Sequence, residues 1–231
     1  MRSHMECKNK SNSSTMPQAS SPVEYKSTRK GNSKVERFKH NKLIKDPEFV
    51  ARVCKAVTQA ICELYALGST KMSLEDLYRD VYDVVLHKKG DELYTTMEIT
   101  MTSEVQSLCS LLDAAPEDDA LFLQELLAKW NCHVRAVKMT RNILLYLDRT
   151  FVPTMRRTSI HELGLHLWRN NMARSNKICP RLIQAVRRQR GGEEELVDGV
   201  NKMLTELGVE LMDVQHLCFR DGGGKLHVAG P

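Results

Sequence analysis

KMSLEDLYRDVYDVVLHKKGDELY, residues 71–94, carries a helix with both ends marked and a sharply divided surface. Ser73 is a good N-cap, and Asp76 three residues on makes an Asp variant of the capping box, so a helix is predicted from 73. Lys88-Lys89-Gly90 is the usual pattern for its end, which places it over 73–89. At about 100° per residue, Leu74, Leu77, Val81, Val84 and Val85 share one face, which reads as core. Asp76, Arg79, Asp80 and Asp83 fall on the opposite, solvated face. Between them lie Glu75, Tyr78, Tyr82 and Leu86, a flank that mixes two aromatics, an aliphatic and a carboxylate. That is the composition of an interaction edge. The helical pattern alone is also met by tyrosines that pack on the core with their hydroxyls reaching water.

The same periodicity extends outward in both directions. Asp46-Pro47 is predicted to open a preceding helix carrying Phe49, Val50, Val53, Val57, Ile61 and Leu64 and ending near Gly68. A third helix is expected over about 91–113, where Met97, Met101, Val105, Leu108 and Leu112 recur. Pro116 followed by Glu117, Asp118 and Asp119 puts negative charge at the start of a fourth, which runs to about Asp148 before Pro153 breaks the chain. Ser159 and Glu162 form a second capping box, and the helix they open continues toward Arg188 with a disturbance at Pro180. Gly191-Gly192 is a joint before a last helix over about 193–207. The prediction is an all-α chain.

Composition agrees. Hydrophobic residues make up 42% of the 231, enough to bury a core, while aromatics are only 6%. The first 45 residues hold eleven Lys/Arg against three Asp/Glu, a net charge of +8, so the rest carries −3 of the chain's +5. Residues 1–34 have almost nothing to bury and read as a disordered basic tail. Without aromatic interleaving, that tail does not point to specific nucleic-acid binding. Seven cysteines stand singly with no C-x-x-C, which speaks for free thiols in a reducing compartment, the cytoplasm or nucleus. No apolar run is long enough to cross a bilayer, and the opening residues lack the apolar stretch of a secretory signal, so no membrane association is expected.

Catalytic and metal readings find little support. His161 and His166 are five apart and do not share a helix face, and His133 beside Cys132 points about 100° away from it. Gly222–Gly224 is not followed by a helical pattern and makes no phosphate loop. No cofactor, no metal and no catalytic residue is implied.

The 71–94 string resembles the second helix of the first cullin repeat, specifically that of the cullin-3 class. There a Ser-Phe-Glu-Glu-Leu-Tyr-Arg-Asn-Ala-Tyr run leads to Val-Leu-His-Lys and then Leu-Tyr. WNCHVRAVKMTRNILLYLDRTFV at 130–152 is similar to the family's Trp-Asn-x-His stretch and its Ile-Leu-x-Tyr-x-Asp-Arg-x-Tyr-Val run. IHELGLHLWRNNM at 160–172 resembles the Tyr-x-Leu-Gly-Leu-x-Phe-Arg-Asp run that follows. The resemblance implies a cullin repeat, a five-helix bundle that starts an α-solenoid stalk. Residues 46–190 would be the first repeat and 191–215 the start of a second, with 35–45 an N-terminal extension. Residues 216–231, HLCFRDGGGKLHVAGP, have no helical period and read as a divergent tail, the end of a truncated product. A last helix without its full repeat should be poorly supported.

What the resemblance implies for function is a non-catalytic scaffold of a cullin-RING ubiquitin ligase, in ubiquitin-dependent protein catabolism. In the cullin-3 class this end binds BTB-domain substrate adaptors. Carried over by position, the contacts are Met72, Leu74, Glu75, Tyr78, Tyr82 and Phe151, and VERFKH at 35–40 resembles the arm of plant-type members, with Phe38 as its apolar anchor. No RING-protein binding is expected from this length of chain, and dimeric adaptors would give a two-to-two assembly. Three positions depart from the family: Leu74 replaces Phe, Phe151 replaces Tyr, and Cys54 stands where Trp is common. The loss of the Phe151 hydroxyl removes a hydrogen bond worth about 0.5–1.5 kcal/mol. The alternatives are a decoy that competes for adaptors without assembling a ligase, and a relic with no adaptor affinity.

Overall fold

Apolar residues recurring every three to four positions build a helical chain whose faces close on one core. The computed structural model describes residues 48–188, 194–210 and Val214. All regular structure among these is helical. The helices are α1 (Phe49–Leu67), α2 (Leu74–Leu86), α3 (Gly90–Asp113) and α4 (Asp119–Ile143). A π-helical turn, π1 (Leu147–Phe151), runs directly into the short α5 (Val152–Thr154). After it come α6 (Ile160–Arg174), α7 (Ile178–Arg188) and α8 (Glu194–Glu206). No helix among the described residues is long and apolar enough to cross a membrane.

α1 buries the predicted set, Phe49, Val50, Val53, Val57, Ile61 and Leu64, and ends at Gly68, whose N–H bonds the Leu64 carbonyl. It lies against α3 and α4, while α6 closes the other side of the same pair. Met97 and Met101 from α3, Phe122 and Leu126 from α4, and Trp168 from α6 belong to this core, each without solvent exposure. Side chains of this size contribute about 1.5–3 kcal/mol apiece when fully buried. Val105 and Leu112 carry the core along α3.

Several boundaries differ from the sequence reading, each for a local reason. The predicted opening Asp46-Pro47 lies outside the described residues, as do residues 1–45, Gly191-Gly192 and the 216–231 tail. α4 starts at Asp119 rather than Pro116, because the Asp118 carboxylate accepts from the Leu121 N–H at 2.8 Å. Pro153 does not break the chain ahead of itself: it stands in α5, directly after the wide turn of π1, and the helix ends one residue later at Thr154. The break between α6 and α7 comes ahead of Pro180, at Ser175. That hydroxyl accepts from the N–H groups of Lys177 and Ile178 and donates to Asp113, so it ends one helix and starts the next. Pro180 then falls in the first turn of α7 and costs nothing there.

α8 is also better seated than expected. Val200, Met203 and Leu204 are buried, and the helix packs against α4, which is long enough to offer a face to it after α1 and α6 have taken theirs. The Arg169 guanidinium donates to the Leu207 carbonyl at 3.3 Å and ties down its end.

Candidate protein-docking edge

α2 presents the flank that the sequence singles out. Ser73 caps the helix by accepting from the Asp76 N–H at 3.3 Å, which sets the rotation of everything after it. Leu77, Val81 and Val84 then point into the core. Leu74, assigned by periodicity to that core face, is instead 41% exposed, in the first turn of the helix. Tyr78 is 38% exposed and Leu86 41%, so Leu74, Tyr78 and Leu86 line one open edge with Tyr82 half-buried among them. Glu75 is exposed and pairs with Arg79 at 3.2 Å. An exposed pair of this kind contributes about 0–1 kcal/mol, so the carboxylate is easily recruited elsewhere.

The remaining predicted contacts are placed unevenly. Met72 is half-buried against the core just ahead of the Ser73 cap. Phe151 is half-buried too, and its ring is turned inward onto Gly90: a β-carbon at that glycine would come within 2.7 Å of the ring. Gly90 is therefore needed for close approach. It is the first residue of α3, not the end of α2. Phe38 lies outside the described residues.

One residue of the edge escaped the sequence reading. Tyr146, between α4 and π1, sets its ring 4.5 Å from that of Tyr82 with the planes 53° apart. It stands in the quoted 130–152 string, yet nothing local marks it as a neighbour of Tyr82, far earlier in the chain. It stands on the stretch that continues α4, directly ahead of the wider turn of π1.

The other motif residues hold the edge from behind. The His133 imidazole is buried, with Nδ1 2.9 Å from the Tyr65 hydroxyl and Nε2 3.0 Å from the Gly164 carbonyl. A carbonyl only accepts, so Nε2 carries the proton and Nδ1 accepts from Tyr65. Burial lowers its pKa to about 4, against the smaller opposing effect of the Gly164 bond. The same burial raises the Tyr65 phenol far above its ordinary value. The Cys132 thiol turns to the Tyr65 carbonyl at 3.2 Å, so cysteine and histidine have separate partners and form no nucleophile–base pair. Trp168 stacks on the imidazole at 5.2 Å, and Trp130 meets Trp168 edge-on at 5.4 Å. Asp148, inside π1, accepts from Arg141 Nε at 3.0 Å and from the Ile160 N–H at 2.9 Å. It thereby caps α6 and locks π1 to it. Among the described residues no group of His, Cys, Asp and Glu could hold a metal ion.

The geometry thus offers an apolar, tyrosine-bearing edge on a buried, hydrogen-bonded backing. The cullin alpha solenoid domain matches residues 54–220. The chain is 41% identical over 187 residues to Cullin-3B and 38% to Cullin-3A, both of Arabidopsis thaliana, in each case covering 78% of this chain. It is 30% identical to Cullin-3 of Dictyostelium discoideum over 194 residues, 80% of this chain. It spans about a quarter of the length of these relatives, 25% in each case. With the repeat helices, the Trp-Asn-x-His tie and the Asp148 cap in place, the chain belongs to the cullin family.

Proposed function

We propose that this chain is the adaptor-docking scaffold of a cullin-RING ubiquitin ligase, with residues 46–190 as its first cullin repeat. It takes no part in the chemistry of ubiquitin transfer. Its work is to hold a BTB-domain substrate adaptor on the α2 edge, through Leu74, Glu75, Tyr78 and Tyr82, with Tyr146 completing the surface. The observation that carries the reading is the open edge itself. Leu74, Tyr78 and Leu86 remain exposed on a helix that buries Leu77, Val81 and Val84. Such side chains on a preorganised backbone are what a protein partner covers. Similarity to cullin-3 proteins supports the partner class.

The test is calorimetric titration of the full chain against a purified BTB-domain adaptor, with Glu75→Ala/Tyr78→Ala in parallel. Sub-micromolar binding abolished by the double substitution is the expected result. Absence of binding across several BTB proteins, by chain shown to be helical and folded, would overturn the proposal.

A further inference from the structure

Three helices in the described chain end in the same way. After α2, Lys89 N–H bonds the Val84 carbonyl at 3.1 Å and Lys88 N–H bonds that of Val85 at 3.0 Å. After α5, Arg157 bonds back to Val152 at 2.9 Å and Arg156 to Pro153 at 3.3 Å. After α8, Val209 bonds Leu204 and Gly208 bonds Thr205, both at 3.0 Å. This pair of bonds is the Schellman motif, and it puts its middle residue in the left-handed region, where a β-carbon is penalised and glycine is not. The φ angles are 62° at Lys88, 51° at Arg156 and 66° at Gly208. α8 uses the favoured residue. α2 and α5 use cations, and these are the two non-glycine residues with positive φ among those described.

Lys88 and Arg156 are also brought to one end of the bundle. Arg157 donates to Asp91 at 2.6 Å, joining the turn after α5 to the start of α3, just beyond Lys88. The Phe151 ring against Gly90 closes the same junction. Each cation has a basic neighbour that is already neutralised: Lys89 by Glu92 at 3.0 Å, and Arg157 by Asp91. Lys88 and Arg156 are exposed, and among the described residues neither side chain forms a hydrogen bond or an ion pair. Beside them in sequence stand two exposed apolar side chains, Leu86 and Met155, the latter 54% open. Two free charges with apolar neighbours match an acidic, partly apolar protein surface better than a nucleic acid, which would call for a longer row of cations.

We propose that Lys88 and Arg156 receive carboxylates of the same protein partner that seats on the α2 edge. The left-handed backbone holds both charges clear of the internal ion pairs. The inference rests on the docking reading above and adds the partner's orientation: apolar surface against Leu74 and Tyr78, acidic side chains toward the C-terminal end of α2. The competing account is that each cation only complements the dipole of the helix it ends.

The decisive variant is Lys88→Gly/Arg156→Gly in the full chain. Glycine removes the charge and at the same time relieves the backbone, so the fold is not at risk. The unfolding midpoint is expected to hold or rise. Affinity for a BTB-domain adaptor should fall about tenfold, and its salt dependence should flatten. Lys88→Arg/Arg156→Lys should retain both. Unchanged affinity and salt dependence in the glycine variant would overturn the inference. So would lost retention on heparin with adaptor affinity intact, which would assign the pair to a polyanion. A lowered midpoint, with binding lost only in proportion to unfolded chain, would assign the cations to their helix ends. Glu75→Ala/Tyr78→Ala separates the two proposals. If that pair abolishes binding and the glycine pair does not weaken it, only the present inference fails.

Discussion

The Tyr82 and Tyr146 rings meet at 4.5 Å and 53°, and this contact makes one surface of two segments distant in sequence. Tilted aromatic pairs of this kind contribute about 0.5–1.5 kcal/mol beyond the area they bury. Each ring therefore fixes the other at the boundary between core and edge.

Tyr146→Ala should weaken adaptor binding by about two- to tenfold, the equivalent of that pair energy. Because Tyr82 loses its support in the same step, Tyr82→Ala/Tyr146→Ala should cost less than the two single changes added together. Titration calorimetry on the four proteins closes the cycle, and strict additivity would show that the rings act independently.

Gly90→Ala should destabilise the fold by about 1–3 kcal/mol, since the new methyl would have to displace the Phe151 ring at 2.7 Å. Adding Phe151→Leu should recover part of the loss by clearing the ring edge. Urea unfolding measures both. A neutral Gly90→Ala would mean that the ring swings aside freely.

His133 predicts an acid-labile fold. Its pKa is about 4 in the folded chain against an ordinary 6.5, so the folded state holds the neutral imidazole and the unfolded chain takes up the proton first. Stability from this group is fully present above pH 6.5 and falls as pH drops from 6.5 toward 4, by about 3 kcal/mol at most. Denaturation midpoints followed across that window should show the slope in the native sequence and lose it in His133→Gln. Equal slopes in the two would assign the titration to other groups.

Asp148→Ala removes an acceptor from both Arg141 and the Ile160 N–H. Hydrogen bonds to a charged group are worth about 1.5–3 kcal/mol, and loss of that order is expected in thermal unfolding. Asp148→Asn keeps an acceptor for Ile160 and should cost less. If the two variants are equally stable, the cap does not depend on charge.

The fold was largely legible because its information is local. Apolar spacing found the faces of α1 and α3, and Ser73 and Ser159 marked the starts of α2 and α6. Glu75, Tyr78 and Tyr82 stand apart from the core and solvent faces by spacing alone. The misreadings also have local causes. Lys88-Lys89-Gly90 suggested a helix end at the glycine, whereas Lys88 takes the left-handed conformation after α2 and Gly90 starts the next helix. Pro180 suggested a break that the Ser175 hydroxyl makes earlier.

By itself, then, the sequence determined the helices, their buried faces and the family, since periodicity, caps and motif strings act over a few residues. Only the tertiary structure decided that Tyr146 joins Tyr82, that Phe151 turns inward onto Gly90, that His133 is a tie between three helices, and that Lys88 and Arg156 share one end of the bundle. Those relationships depend on how helices distant in the chain come to lie together, and for Phe151 and the turn after it also on the phase shift at π1. No local pattern encodes that phase.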